Sequence, residues 1–200
     1  MKTAQCSRHD RFQLSTALAD QRSRQLLSCL QDGPATVRDL AVALAASDLD
    51  CARSAVTATD RRQYHQQLDH RYLPRLNDVG LVTRSPDGFV EYVPTVLDGF
   101  EVEFPSLAEP TDPSWPAAAA VLGRAYRHSL VSLVAEVGSA SLSQLTDQLA
   151  GADGTPGQRP RELAITLHHV DLPKLAAVGL LNYDYESRTA TRTADTETVL

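Results

Sequence analysis

Lysine is almost missing from this sequence. Of 19 basic residues only Lys2 and Lys174 are lysines, and the rest are arginines. Aspartate outnumbers glutamate, and the formal net charge is −6. A salt-rich cytoplasm accounts for such a composition, because surface charge is screened within about 3 Å at 1 M salt. A GC-rich genome, which favours arginine over lysine, accounts for it equally well. The broad basic footprint usual in nucleic-acid binders is also missing. In high salt that weighs less, since attraction to phosphate falls steeply with salt for every binder.

Other absences narrow the possibilities. No apolar run approaches the roughly 18 residues that a membrane helix needs, so no membrane association is expected. The opening stretch MKTAQCSRHDRFQLS has no apolar segment of signal-peptide type, and a cytoplasmic location is expected from it. Cys6, Cys29 and Cys51 are odd in number and lack both disulfide-framework and metal-pair spacing. They are read as apolar fillers in a reducing compartment. There is no nucleophile elbow, phosphate-binding glycine loop or zinc-protease pair. Neither an enzyme nor a cofactor is therefore expected.

What is present is a repeat. The phrase LDHRYLPRLNDVGLV, from Leu68 to Val82, returns as LHHVDLPKLAAVGLLNYD from Leu167 to Asp184. At one fixed offset Leu68, His70, Leu73, Pro74, Leu76, Val79, Gly80 and Leu81 fall on Leu167, His169, Leu172, Pro173, Leu175, Val178, Gly179 and Leu180. A chain of 200 residues built twice makes two compact domains of modest core.

The elements around each phrase recur as well. Leu14 and Leu18, then Leu26, Leu27 and Leu30, are spaced for helices, with Asp20 as a cap. Thr36 is placed to cap a short helix carrying Val37, Leu40 and Leu44 on one stripe. In the next helix Tyr64, Leu68 and Arg71 share one face, and Arg62, Gln66 and Asp69 the opposite one. Asp87-Gly88 between alternating apolar residues marks a β-hairpin. The second half repeats the order, with Leu163, Leu167 and Val170 as the stripe of its third helix and Tyr183 and Tyr185 alternating in its hairpin. Three helices and a hairpin, twice over, predict a mainly α chain with small β-hairpins (α+β): two tandem winged helix-turn-helix domains. Their expected extents are 10–96 and 117–194, joined by a proline-rich linker over 97–116 that packs rather than floats.

The repeated proline is read as architecture. Its ring removes a backbone donor and crowds the carbonyl four residues earlier, which belongs to His70 before Pro74 and to His169 before Pro173. The helix is expected to bend or restart there as a hinge, and Gly80 and Gly179 to cap its end ahead of the wing. In winged helices the third helix commonly enters the major groove while the wing touches the backbone or minor groove. Arg61, Arg62, His65 and Gln66 are the candidates for double-stranded DNA in the first unit, with Arg84 on its wing. Arg161, His168 and Arg188 are their counterparts in the second. The plain alternative is that these arginines are only a solvated face. Ala164 and Ile165 suit a protein interface better than DNA, which points to a protein partner or self-association through the second unit. His168 and His169 point about 100° apart on a helix and do not chelate one ion comfortably, so no metal is expected.

The phrase from His169 to Val178, the Gly179-Leu180-Leu181-Asn182-Tyr183-Asp184 that comes after it, and the helix QRSRQLLSCL resemble the winged-helix domains of unknown function widespread in salt-loving archaea. That resemblance implies a transcriptional or DNA-associated regulator. The first unit departs from it after its glycine, with LVTRSPDG in place of a Tyr-Asp strand. Two function classes are compatible with these features: a regulator whose tandem units act as a pseudo-dimer, or a protein-interaction module on the same scaffold without DNA binding.

Overall fold

The computed structural model describes residues 8–98, 100, 102–150 and 159–194. Cys6, most of the Gly- and Pro-rich loop (151–158) and most of the polar tail (195–200) lie outside the described residues. Helix α1 (Arg8–Ala19) is followed by α2 (Gln21–Cys29), a two-residue strand β1 (Ala35–Thr36) and α3 (Val37–Asp48). A 3-10 turn at Arg53–Ala55 leads to α4 (Ala58–Gln67), α5 (Leu73–Asp78) and the hairpin β2 (Val82–Arg84) and β3 (Phe89–Tyr92). The second half gives α6 (Trp115–Leu122), α7 (Ala125–Val137), β4 (Ser139–Ser141), α8 (Leu142–Ala150) and α9 (Pro160–Thr166). It closes with α10 (Leu172–Ala177), β5 (Leu181–Asp184) and β6 (Thr189–Arg192). The fold is α+β and mainly helical. Each half has a three-stranded antiparallel sheet of the same topology, β1-β3-β2 and β4-β6-β5. No helix among the described residues is long and apolar enough to cross a membrane.

The chain forms two compact units. One comprises Asp20–Phe100 and Ser106–Asp112, and the other residues 1–19, 101–105 and everything from Pro113 on. The proline-rich segment is therefore shared between them. In the first unit Leu107 is buried, and Arg24 donates from Nε to the Pro110 carbonyl at 2.8 Å. In the other, Phe104 lies 6.3 Å from the buried Trp115, centroid to centroid. Helix α1, which the sequence order places with the first copy, packs on α6 in this second unit. Leu14, Ala17 and Leu18 are buried there with Ala118, Val121 and Leu122, and the Ser15 hydroxyl donates to the Ala119 carbonyl at 2.7 Å. A side chain at Gly123 would stand 2.9 Å from the Arg127 guanidinium and 3.0 Å from the Ser15 hydroxyl, so these groups would have to shift to admit one.

The backbone stays helical through both prolines. The adjustment falls just ahead of them, in π-helical turns at Leu68–Tyr72 and Leu167–Asp171. There Leu73 N–H reaches back to the Leu68 carbonyl and Leu172 N–H to that of Leu167, one residue further than in an α-helix. A proline has no N–H to continue an α ladder and its ring needs room behind it; a wider turn supplies that room. A widened turn ahead of each proline stands where a bend or restart at the proline was expected, and His70 and His169 lie within it.

The extra residue shifts the helical phase by about 100°. Two sequence expectations fail for that reason. Val170 is 44% exposed and Asp171 holds the inner position instead; likewise Arg71 is exposed and Tyr72 buried. Beyond the wide turn Leu73 and Leu76, or Leu172 and Leu175, fill the core. Gly80 and Gly179, at φ 76° and 81°, then end the helices. Gly80 N–H bonds to Asn77 and Leu81 N–H to Leu76, both at 2.9 Å, and Gly179 and Leu180 repeat the pattern on Ala176 and Leu175. This is the left-handed glycine cap that satisfies the last carbonyls of a helix.

Asp171 is a fully buried carboxylate with saturated partners. It accepts from the Tyr126 hydroxyl at 2.5 Å and from Arg127 Nε and Nη2 at 2.9 and 2.7 Å, while Arg124 Nε stands 3.2 Å away. Arg127 also donates to the Ala120 carbonyl at 2.6 Å. Burial and the bond to Asp171 push the Tyr126 phenol well above its ordinary value. One acid therefore joins the turn before Pro173 to α7, and through Arg127 to α6. Asp171→Asn is expected to destabilise the protein by about 3–5 kcal/mol, because it leaves a buried guanidinium without its counterion. Denaturant unfolding of the variant against wild type measures this.

Candidate nucleic-acid interface

Helix α4 starts on a capping box. Thr57 Oγ1 accepts from the Asp60 N–H at 3.1 Å, and the Asp60 carboxylate accepts from the Thr57 N–H at 3.3 Å. No residue within α4 is buried. The helix is held instead by its wide turn at Leu68 and by Tyr64, whose hydroxyl donates to Asp48 at the end of α3 at 2.5 Å. Arg22 donates to the same carboxylate at 2.6 Å, and its guanidinium carbon lies 5.8 Å from the Tyr64 ring centre. Burial, with the Asp48 hydrogen bond adding to it, pushes the Tyr64 phenol up to about 12.

Fixed in this way, α4 turns Arg61, Arg62, His65 and Gln66 toward an open recess completed by Ala58 and by Arg38 of α3. All four sequence candidates on the helix are thus brought together. Arg38 was missed, as was Arg53, which lines an adjoining recess with Thr36, Arg38, Asp39, Val42 and Arg61. Their only sequence signal was arginine in a first helical turn and in a polar connection. Among the described residues Arg38, Arg53, Arg61 and Arg62 have no carboxylate partner. The wing arginine differs. Arg84 pairs with Asp69 at 2.5 Å, and His65 Nδ1 stands 3.1 Å from the other oxygen of that carboxylate.

The second copy sets different chemistry on matching positions. Pro160, Arg161, Ala164 and Ile165 stand where the first copy has Arg61, Arg62, His65 and Gln66. Arg161 is exposed, Ala164 half-buried, and Ile165 is 54% exposed. Asp69 and Arg84 are matched by His168 and Tyr183, and the ion pair becomes a hydrogen bond of 2.6 Å between His168 Nδ1 and the Tyr183 hydroxyl. His168 also meets the His169 ring at 4.4 Å and the Tyr185 ring at 5.1 Å. Burial lowers the His168 imidazole from its ordinary value, and His169 and Arg188 push it the same way. Arg188 is exposed at the hairpin turn with φ 52°. His168 is therefore half-buried at a junction of helix and hairpin. Among the described residues no three His, Cys, Asp or Glu side chains group as metal ligands.

Two stretches, residues 15–91 and 119–191, match a family described as a domain of unknown function (DUF7344). The chain belongs to that family. No curated protein and no solved structure matches it. Each DUF7344 segment opens inside a helix, α1 or α6, and closes on the last strand of a sheet. The leading helices of the two segments are thus the pair packed together by Ser15 and Gly123.

Tyr64 offers a direct check of how α4 is held. Its ionisation, followed by absorbance, is expected at about 12 against about 10 for a free phenol. A pKa raised by folding contributes stability that is complete below pH ~10 and lost as pH rises through the folded value. Asp48→Asn is expected to bring the phenol only part of the way back, since burial remains.

Proposed function

We propose that this protein is a DNA-binding transcriptional regulator, with each DUF7344 copy a winged helix-turn-helix and the first copy making the main contact with double-stranded DNA. The observation that carries this reading is the recess on α4. Arg61 and Arg62, free of carboxylates, share it with His65 and Gln66, side chains able to reach phosphates and base edges. The order of elements supports it: helix, short strand, two helices and a hairpin whose last strand pairs with the short strand, in both copies. In that arrangement α4 is the helix for the major groove and β2–β3 the wing. The protein then works in the cytoplasm as a binder rather than a catalyst, with its arginine-rich, lysine-poor surface suited to high salt. Duplex binding measured across a salt series tests this, with log affinity expected to fall linearly with log salt. Arg62→Ala combined with Gln66→Ala is expected to cost roughly 1–3 kcal/mol per lost base contact, and Arg161→Ala much less. Unchanged affinity of the double variant at fixed salt would remove α4 from the interface.

A division of labour accompanies this reading. Ile165, Val170 and Tyr185 of the second copy are 54%, 44% and 52% exposed, which favours a protein partner or self-association there over a second DNA contact. Ile165→Asp is expected to stay folded, because the side chain points away from the buried Leu163 and Leu167. Its light-scattering mass is expected to fall, or its partner to be lost, at matched salt. A folded variant of unaltered mass and partners would leave Ile165 outside any interface.

A further inference from the structure

Three arginines from three different elements line one hollow. Arg38 comes from the first turn of α3, Arg53 from the 3-10 turn beyond its end, and Arg61 from α4, with Thr36, Asp39 and Val42 completing the lining. The one acid on the rim is already occupied: Asp39 accepts from the Thr36 hydroxyl at 2.7 Å while its own N–H donates back to that oxygen at 3.2 Å. The local balance is three positive charges against one negative, with no ion pair between them. Like charges gathered without a counterion repel, and an oxyanion relieves that repulsion. Planar guanidinium forks match the oxygens of a phosphate in particular.

We infer that Arg38, Arg53 and Arg61 form a clamp for a single backbone phosphate of duplex DNA, an inference that rests on the DNA-binding reading of α4. The hollow shares Arg38 and Arg61 with the recess that also holds Arg62, His65 and Gln66. A phosphate seated in it lies one side chain away from the groove-facing residues. The clamp fixes register on the duplex while α4 reads bases, the usual split between positioning and specifying contacts. The second copy has no such clamp, since Pro160 and Ser143 occupy the places of Arg61 and Arg38.

The test is duplex binding over a salt series, on two unrelated sequences, for wild type and for three double variants. Arg38→Gln with Arg53→Gln is expected to weaken both duplexes equally and to flatten the slope of log affinity against log salt by about 0.9, the value for one phosphate. Arg38→Lys with Arg53→Lys keeps the charge and is expected to restore the slope. Arg62→Ala with Gln66→Ala is expected to shrink the difference between the sequences while sparing most of the slope. A flattening of about 1.8 would mean two separate phosphates and would overturn the single clamp. An unchanged slope in the glutamine variant overturns the clamp and leaves the DNA reading standing, whereas no binding by wild type overturns both. Arg38 and Arg53 are exposed, and far-ultraviolet circular dichroism is expected to be the same for all four proteins. Unfolding of the glutamine pair would make both arginines structural, which also overturns the clamp.

Discussion

A proline that cannot give a hydrogen bond sets the geometry of each half of this chain. Pro74 and Pro173 sit inside helices that the core needs to be continuous, and the chain answers by widening the turn before each one. That turn rotates everything beyond it. Leu73 and Leu76, or Leu172 and Leu175, reach the core, and the glycine cap is aimed so that the hairpin returns to pair with the short strand ahead of α3 or α8. The same turn brings one additional residue inward, and the two copies use it differently.

Tyr72 fills the inner position in the first copy and Asp171 in the second. An inward tyrosine asks little of its neighbours. An inward carboxylate requires cations, and Arg127 and Tyr126 supply the charge and the hydrogen bonds. In the first copy Ser23 and Arg24 each stand three before a buried leucine: Ser23 is buried with a hydroxyl that has no partner among the described residues, and Arg24, also buried, donates to the Pro110 carbonyl. The buried ion pair anchors the third helix from inside, while the first copy anchors α4 from its rim through Arg22, Asp48 and Tyr64. With charge spent inside, the second copy shows isoleucine and aromatic rings outside. The first copy buries Arg24 but keeps Arg38, Arg53 and Arg62 exposed.

Much of the fold was legible from residue spacing: the repeat, the helices, the hairpins, and the caps at Asp20, Thr36 and Gly80. The misplacement of Val170 and Arg71 has one cause, the assumption of an unbroken period of 3.6 across a wide turn. Proline shows that something must yield but not which turn does. The candidates on α4 were legible because they share a helical face. Arg38 and Arg53 were not, since they meet Arg61 only after the chain has folded α3 and the 3-10 turn around it. Nor does any local pattern show that α1 packs with α6, since α6 is apolar and buried on nearly every side and offers no single face to match to Leu14 and Leu18.

That last pairing means that the hereditary unit and the folding unit are out of step. A family segment begins within α1 or α6, yet the core that buries α1 is completed by residues encoded a hundred positions later. Recombination at the repeat boundary would carry away half of a helix pair, and a newly made first segment leaves the ribosome with Leu14 and Leu18 still lacking their cover. The two repeats are thus tied through one helix: α1 precedes the first repeat's compact unit in sequence but finds its cover in the second.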